Sequence, residues 1–202
     1  MHYFITQILV VYDSIYFHTR RHSQKNKDMI KTKTCSFFGH RNTVATPELG
    51  EKLRQTVIWL IEENEVERFF FGSASKFDEL CLKTVTELKK DYPEITRIYL
   101  RAGYPEISER YERYLLESYD DTLMPSKVEN AGRAAYVERN QAMIDVSDFC
   151  VFYYDENYKP PIRKRLKSSV SEYQPKSGTM LAYEYALRKS KNEPKTIINL
   201  YK

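Results

Sequence analysis

The chain has 202 residues, 32 Lys plus Arg against 28 Asp plus Glu, 42% hydrophobic and 14% aromatic residues with 17 Tyr, and only 6 Gly and 8 Pro. That apolar mass excludes a disordered, collagen-like or low-complexity chain, and the length suits one core, since domains cluster near roughly 100–150 residues. The formal charge of +4 and a pI near 8.8 fall short of a dedicated nucleic-acid protein. Cys35, Cys81 and Cys150 are odd in number and lack CxxC or Cys/His ligand spacing. They argue against a disulfide framework and structural zinc and fit a reducing cytoplasm, so neither a metal nor a cofactor is expected.

Residues 3–12 are the most apolar run, but Thr6 and Gln7 interrupt it and Asp13 follows. A membrane span needs roughly 18–20 apolar residues, so no membrane partner is expected. A secretory signal needs its basic residues first, whereas Arg20, Arg21, Lys25 and Lys27 come afterwards. Met29 stands just before the first convincing strand. Residues 1–28 therefore read as an extension from an early start codon or a poorly ordered arm, the alternative being an amphipathic partner-binding helix, and residues 29–202 as the domain.

From Lys33 onward, short β-branched or aromatic runs alternate with segments of helical period, which predicts an α/β fold with a mainly parallel sheet. Thr34–Phe38 is the first expected strand, ending at Gly39. Thr46 caps a helix with Pro47 at its first position, Leu49, Leu53, Val57, Leu60 and Ile61 on one face, and an end near Asn64. Arg68–Phe71 is a second strand, followed by a Ser75-x-x-Asp78 capping box and a helix burying Phe77, Cys81, Val85 and Leu88. Further strands are expected at Ile95–Leu100, Asp121–Met124, Asp148–Tyr153 and Thr196–Leu200. The intervening helices are expected at Ser108–Ser118, Arg133–Val146, with Tyr136, Val137, Asn140, Met143 and Ile144 near one side, and Gly178–Arg188.

Ligands of such sheets bind at the carboxyl ends of the strands, where helix amino termini offer free N–H donors. After the first strand, Gly39 permits close backbone approach to a ligand, and His40 and Arg41 add donors and charge; a tight turn with both side chains in water is the competing reading. After the second, Gly72, Ser73 and Ala74 form a small-residue entry to a helix, suited to phosphate or ribose, while Asp78 reads more readily as an ordinary cap closing the box than as a ligand contact. Arg139 and Asn140 fit either a ligand contact or a solvated helix face. Ser177, Gly178 and Thr179 open the last helix and expose N–H groups and a hydroxyl to an anion.

These segments, FFGHR, FGSAS-x-FDEL, ERNQAMID-x-SD and PKSGTMLAYEYA, in this order over about residues 33–200, resemble the SLOG superfamily and specifically its YpsA-like branch, relatives of LOG and DprA proteins. The resemblance implies a Rossmann-like three-layer domain with helices on both faces of the sheet. It also implies binding of nucleotides, nucleoside phosphates or ADP-ribose-derived signals, with Gly39, Arg41, Gly72, Ser73, Arg139, Asn140, Ser177, Gly178 and Thr179 lining the pocket. The LOG phosphoribohydrolases carry PGGxGTxxE, whose glutamate assists glycosidic cleavage. Here Lys176 and Ser177 replace the two glycines and Ala182 takes the glutamate position, and alanine has no proton to exchange. Glu184 or Asp145 would have to substitute for it.

Residues 159–176 carry six bases against Glu172, a net +5. Pro160, Pro161, Ser168, Ser169 and Ser171 favour a loop excursion over helix or strand. It reads as a solvated loop, a lid on an anionic ligand, or a nucleic-acid contact, with Tyr153, Tyr154, Tyr158 and Tyr173 available either to stack on a base or to pack. The leading expectation is a nucleotide-binding sensor or enzyme. The alternatives are a DprA-like nucleic-acid module and a nucleoside-monophosphate N-glycosidic hydrolase; a homo-oligomer fits the Tyr-rich helices. His40 is the only histidine after residue 28.

Overall fold

The computed structural model describes residues 32–160, 163–164, 172–173 and 176–201. The expectations for residues 1–28 and for most of the basic loop fall outside the described residues. Eight strands, β1 Lys33–Gly39, β2 Val66–Phe71, β3 Thr96–Leu100, β4 Asp121–Leu123, β5 Phe149–Tyr153, β6 Arg163–Lys164, β7 Glu172–Tyr173 and β8 Thr196–Asn199, are present among them. The helices are α1 Pro47–Glu62, α2 Lys76–Leu88, α3 Glu109–Leu116, α4 Ala135–Val146 and α5 Gly178–Ser190.

Six strands form one parallel sheet in the order β4-β3-β2-β1-β5-β8. β1 sits inside it and is buried along both faces, as expected of a continuous apolar run in a parallel sheet. Successive side chains of a strand point to opposite faces, and Phe37 and Phe38 enter different cores accordingly. Phe37 joins Phe69, Phe71 and Phe77 with Leu53, Val57 and Leu60 of α1 and Val85 of α2. Phe38 joins Phe70, Phe152, Met143 and Ile144 with Ala182 and Ala186 of α5. The result is the Rossmann-like three-layer α/β architecture.

The local signals behave as their chemistry requires. Thr46, Ser75, Ser108 and Ser177 each accept a hydrogen bond from the third residue of the helix they precede. α1 stops at Glu62, before the expected Asn64, and Glu65 takes φ 55 to turn the chain into β2. A short 3-10 turn, Gly132–Ala134, occupies the expected start of α4. The basic loop is not free of strand: β6 and β7 pair antiparallel, Arg163 opposite Tyr173. The three cysteines are free and buried. Among the described residues no helix is long and apolar enough to cross a membrane, and no cluster of metal-ligating side chains is present.

Candidate functional site

The sheet grows outward from β1 to β4, and the chain then returns to lay β5 on the other side of β1. Loops leaving the carboxyl ends of β1 and β5 therefore run apart and open a crevice. A cavity of about 760 Å³ lies there. Gly39, His40, Arg41, Gly72, Ser73, Ala74, Asp78, Arg139, Asn140, Ser177, Gly178 and Thr179 all line it, although they come from four separate stretches of sequence. A second concavity, about 850 Å³, is lined by α1 residues from Glu48 to Trp59 and by Ile198 of β8, not by the strand-end loops.

Arg139 forms the floor. It is only 3% exposed, which corrects the reading of a solvated helix face. Its Nη1 donates to the carbonyl of Gly72, and Nε and Nη2 both donate to Oδ1 of Asn140, at 3.3 and 2.9 Å. The guanidinium lies 5.6 Å from the centre of the Tyr136 ring. No ion pair among the described residues involves Arg139. Burial pushes its pKa down, while Tyr99, Asp78 and Tyr136 nearby push it back up. A buried cation with no carboxylate in salt-bridge contact is costly, and a guanidinium offers five donors, so this group is left short of acceptors.

The two strand-end glycines serve packing. A Cβ on Gly39 would collide with Cβ and ring carbons of Phe77, so Gly39 seats α2 against β1 as well as lining the cavity. A Cβ on Gly72 would fall 2.6 Å from Nε of Arg139 and 2.8 Å from Sδ of Met143. Gly72 thus makes the space in which the guanidinium crosses the end of β2.

Asp78 knots the loop after β2. Its Oδ2 accepts from the hydroxyls of Ser73 and Ser75, both at 2.5 Å, and Oδ1 accepts from the Ser73 N–H at 3.3 Å. Burial raises its pKa, opposed by those hydroxyls, the Ser73 N–H and the charge of Arg139. The amino end of α2 is largely consumed as well: Lys76 N–H donates to the Arg41 carbonyl and Asp78 N–H to Ser75 Oγ, both at 3.1 Å. α5 differs. Ser177 Oγ accepts from Met180 N–H at 3.0 Å, leaving the N–H groups of Gly178 and Thr179 without intrahelical acceptors and at the cavity wall. Lys176 is paired with Glu184 at 2.9 Å.

His40 is 4% exposed and clamps the loop after β5. Its Nε2 lies 3.1 Å from the Asp155 N–H and 3.2 Å from the Asp155 carbonyl, and the ring stacks on Tyr158 with centroids 3.9 Å apart. Nδ1 is buried without a partner. Burial lowers the imidazole pKa, opposed by the Asp155 backbone and charge. Asn199 of β8 holds the same loop, accepting from Tyr154 N–H and donating to its carbonyl, each at 3.0 Å.

Asn42, Tyr99, Tyr136 and Tyr158 also line the cavity. Tyr136 was expected near the core-facing side of α4, but it is 69% exposed, and the buried face is Arg139, Ala142, Met143 and Ile144. Met143 and Ile144 are buried as expected, but an apolar pattern leaves Arg139 out although it lies four residues before Met143 on the same side of the helix. The proposed substitutes for the LOG glutamate do not reach the site. Asp145 is held by Lys127 at 2.7 Å, Lys189 at 3.3 Å and Tyr185 at 2.8 Å, and neither it nor Glu184 lines the cavity. Ala182 is 2% exposed, inside the core beneath α5.

A six-stranded parallel sheet with a switch-point cleft, floored by a buried guanidinium and walled by a helix amino terminus, defines a Rossmann-like α/β protein. Within that class the assignment is specific: the YpsA model, described as the YspA SLOG family, matches residues 31–184, and the chain belongs to this family. A search of curated proteins finds no match.

Proposed function

We propose that this protein binds a nucleotide, nucleoside phosphate or ADP-ribose-like ligand in the cleft, as a sensor or as an enzyme whose chemistry differs from LOG hydrolysis. Arg139 carries the reading: a buried guanidinium with unused donors and no carboxylate in salt-bridge contact among the described residues is completed by an anion brought from outside. A phosphate there also gains the free N–H groups of Gly178 and Thr179 and the favourable end of the α5 dipole. The cavity volume of about 760 Å³ suits a small organic anion, since ligand sites span roughly 300–1,000 Å³. Family membership supports a nucleotide-related role.

LOG-type hydrolysis finds no support in the residues. Asp78 is the one carboxylate among the described residues lining the cavity, and both its oxygens already accept hydrogen bonds. Titration calorimetry with pyrophosphate, AMP and ADP-ribose tests the proposal. Binding by at least one of them, weakened about tenfold or more in Arg139→Gln, is the expected result. Absence of heat with all three sinks it.

A further inference from the structure

Helix α3 follows β3 and buries little of itself. Seven of its eight residues are exposed, and Leu115 alone is buried. A surface helix ordinarily presents an apolar stripe roughly 100° wide to the core, and α3 has no such stripe turned inward. Its large apolar side chains lie outside instead. Tyr111, Tyr114 and Leu116 are exposed, Tyr114 by 64%, and the Tyr111 and Tyr114 rings stack with centroids 6.2 Å apart.

The turn leading into α3 extends this surface. Tyr104 takes φ 58, a left-handed conformation uncommon for a residue with a side chain, and is 78% exposed. Arg101 Nη1 holds the turn, donating to the carbonyls of Tyr104 and Pro105 at 2.8 and 3.4 Å. An aromatic ring held out in water on strained backbone, beside two more exposed tyrosines, is the mark of a surface that another molecule covers.

Charge decides which molecule. Residues 101–120 carry three arginines against five acids, so a nucleic-acid backbone is repelled. The neighbouring sheet edge, β4, has only three residues, too short to template an added strand. On α3 itself, Arg110, Arg113, Tyr114 and Glu117 follow one another at spacings of three, one and three, which sets them on one face, turned away from Leu115. None of those three charges has an ion-pair partner among the described residues. This face is complementary to its own reverse. Two copies set antiparallel about a two-fold axis between residues 113 and 114 bring Arg110 opposite the partner's Glu117 and Arg113 over the partner's Tyr114, and symmetry makes each contact twice.

We infer that the exposed face of α3 is the contact between two copies of this chain in a two-fold dimer. Eight helical residues extend only about 12 Å, so the contact is small and the dimer is a weak one, in reversible exchange with monomer at micromolar concentrations. The inference is independent of what the cleft binds.

Sedimentation velocity on the full chain across the micromolar range tests it, with Tyr114→Ala, Arg110→Glu and Glu117→Arg beside the wild type. The wild type is expected to shift from monomer to dimer as concentration rises, and Tyr114→Ala to weaken that association about tenfold or more. Arg110→Glu or Glu117→Arg alone is expected to stay monomeric, because like charges then face each other twice. An equimolar mixture of those two variants is expected to dimerise again, since both pairs regain opposite signs, and this recovery also shows that both are folded. Positions 110, 114 and 117 are exposed, so none of the three substitutions disturbs the core. A wild type that stays monomeric throughout overturns the inference, as does a dimer indifferent to the charge reversals or a mixture that fails to reassociate.

Discussion

Gly39 and Gly72 end adjacent strands, yet each is required by a different neighbour, and two substitutions separate their roles. In Gly39→Ala the new methyl meets Phe77, a fully buried side chain of the core. Overpacking costs about 1–3 kcal/mol, so denaturant unfolding should show a loss of at least that size. In Gly72→Ala the methyl meets Arg139 and Met143, long side chains with more freedom to move. The expected signature is a smaller stability loss with a larger loss of ligand affinity; an equal stability loss in both variants would remove the distinction. His40 supplies a pH test. Burial lowers its folded pKa, so the neutral ring favours the folded state. That contribution is complete above the unfolded imidazole pKa and is lost as pH falls through it towards the lower folded value. Unfolding midpoints taken between about pH 8 and pH 5 should fall more steeply in wild type than in His40→Gln, and parallel profiles would contradict the assignment.

At the scale of elements, the amino ends of α2 and α5 begin alike, with a serine cap, and end up with different tasks. The α2 terminus turns inward: Asp78 binds Ser73 and Ser75, and Lys76 N–H reaches the loop after β1, so this terminus joins two loops. Asp78→Ala is expected to lower stability by about 1–3 kcal/mol, because two hydroxyls and a backbone N–H lose their acceptor together. Differential scanning calorimetry gives the measurement, and an unchanged transition would show that the knot is dispensable. The α5 terminus stays open because small residues at its approach, Ser177, Gly178 and Thr179, leave the first N–H groups uncovered at the cavity. Farther along the same helix, Thr179, Ala182 and Ala186 are its buried residues, letting α5 lie close on the sheet. Placing the LOG glutamate here by Ala182→Glu puts a carboxylate into that packed layer. The expected outcome is a destabilisation of several kcal/mol, of the order seen when a charge is buried unpaired, and no free base released from nucleoside monophosphates. Base release by a stably folded variant would reverse the conclusion.

For the whole molecule, the cleft exists because the chain reverses direction across the sheet between β4 and β5, and that reversal decides which loops meet. A ligand bound there touches segments from β1, β2, α4 and α5, and should stabilise the fold by about 2.7 kcal/mol at a hundredfold excess over its Kd. A rise in Tm with NAD⁺ or ADP-ribose, absent in Arg139→Gln, is the matching observation. The alternation of strands and helices, the caps at Thr46 and Ser75, the helix opening at Ser177, and the polar residues after each strand were legible from sequence, because period, capping and turn chemistry are local properties. The four motifs could be written down before they could be brought together. Only the tertiary structure showed that Arg139 is buried and not on a solvated face, that Gly39 packs against Phe77 while it lines the cavity, and that Tyr136 and Tyr158 border the same cleft. Those outcomes depend on strand order and helix phase, which are fixed by contacts between residues far apart in the chain, such as Gly72 with Arg139 and His40 with Asp155.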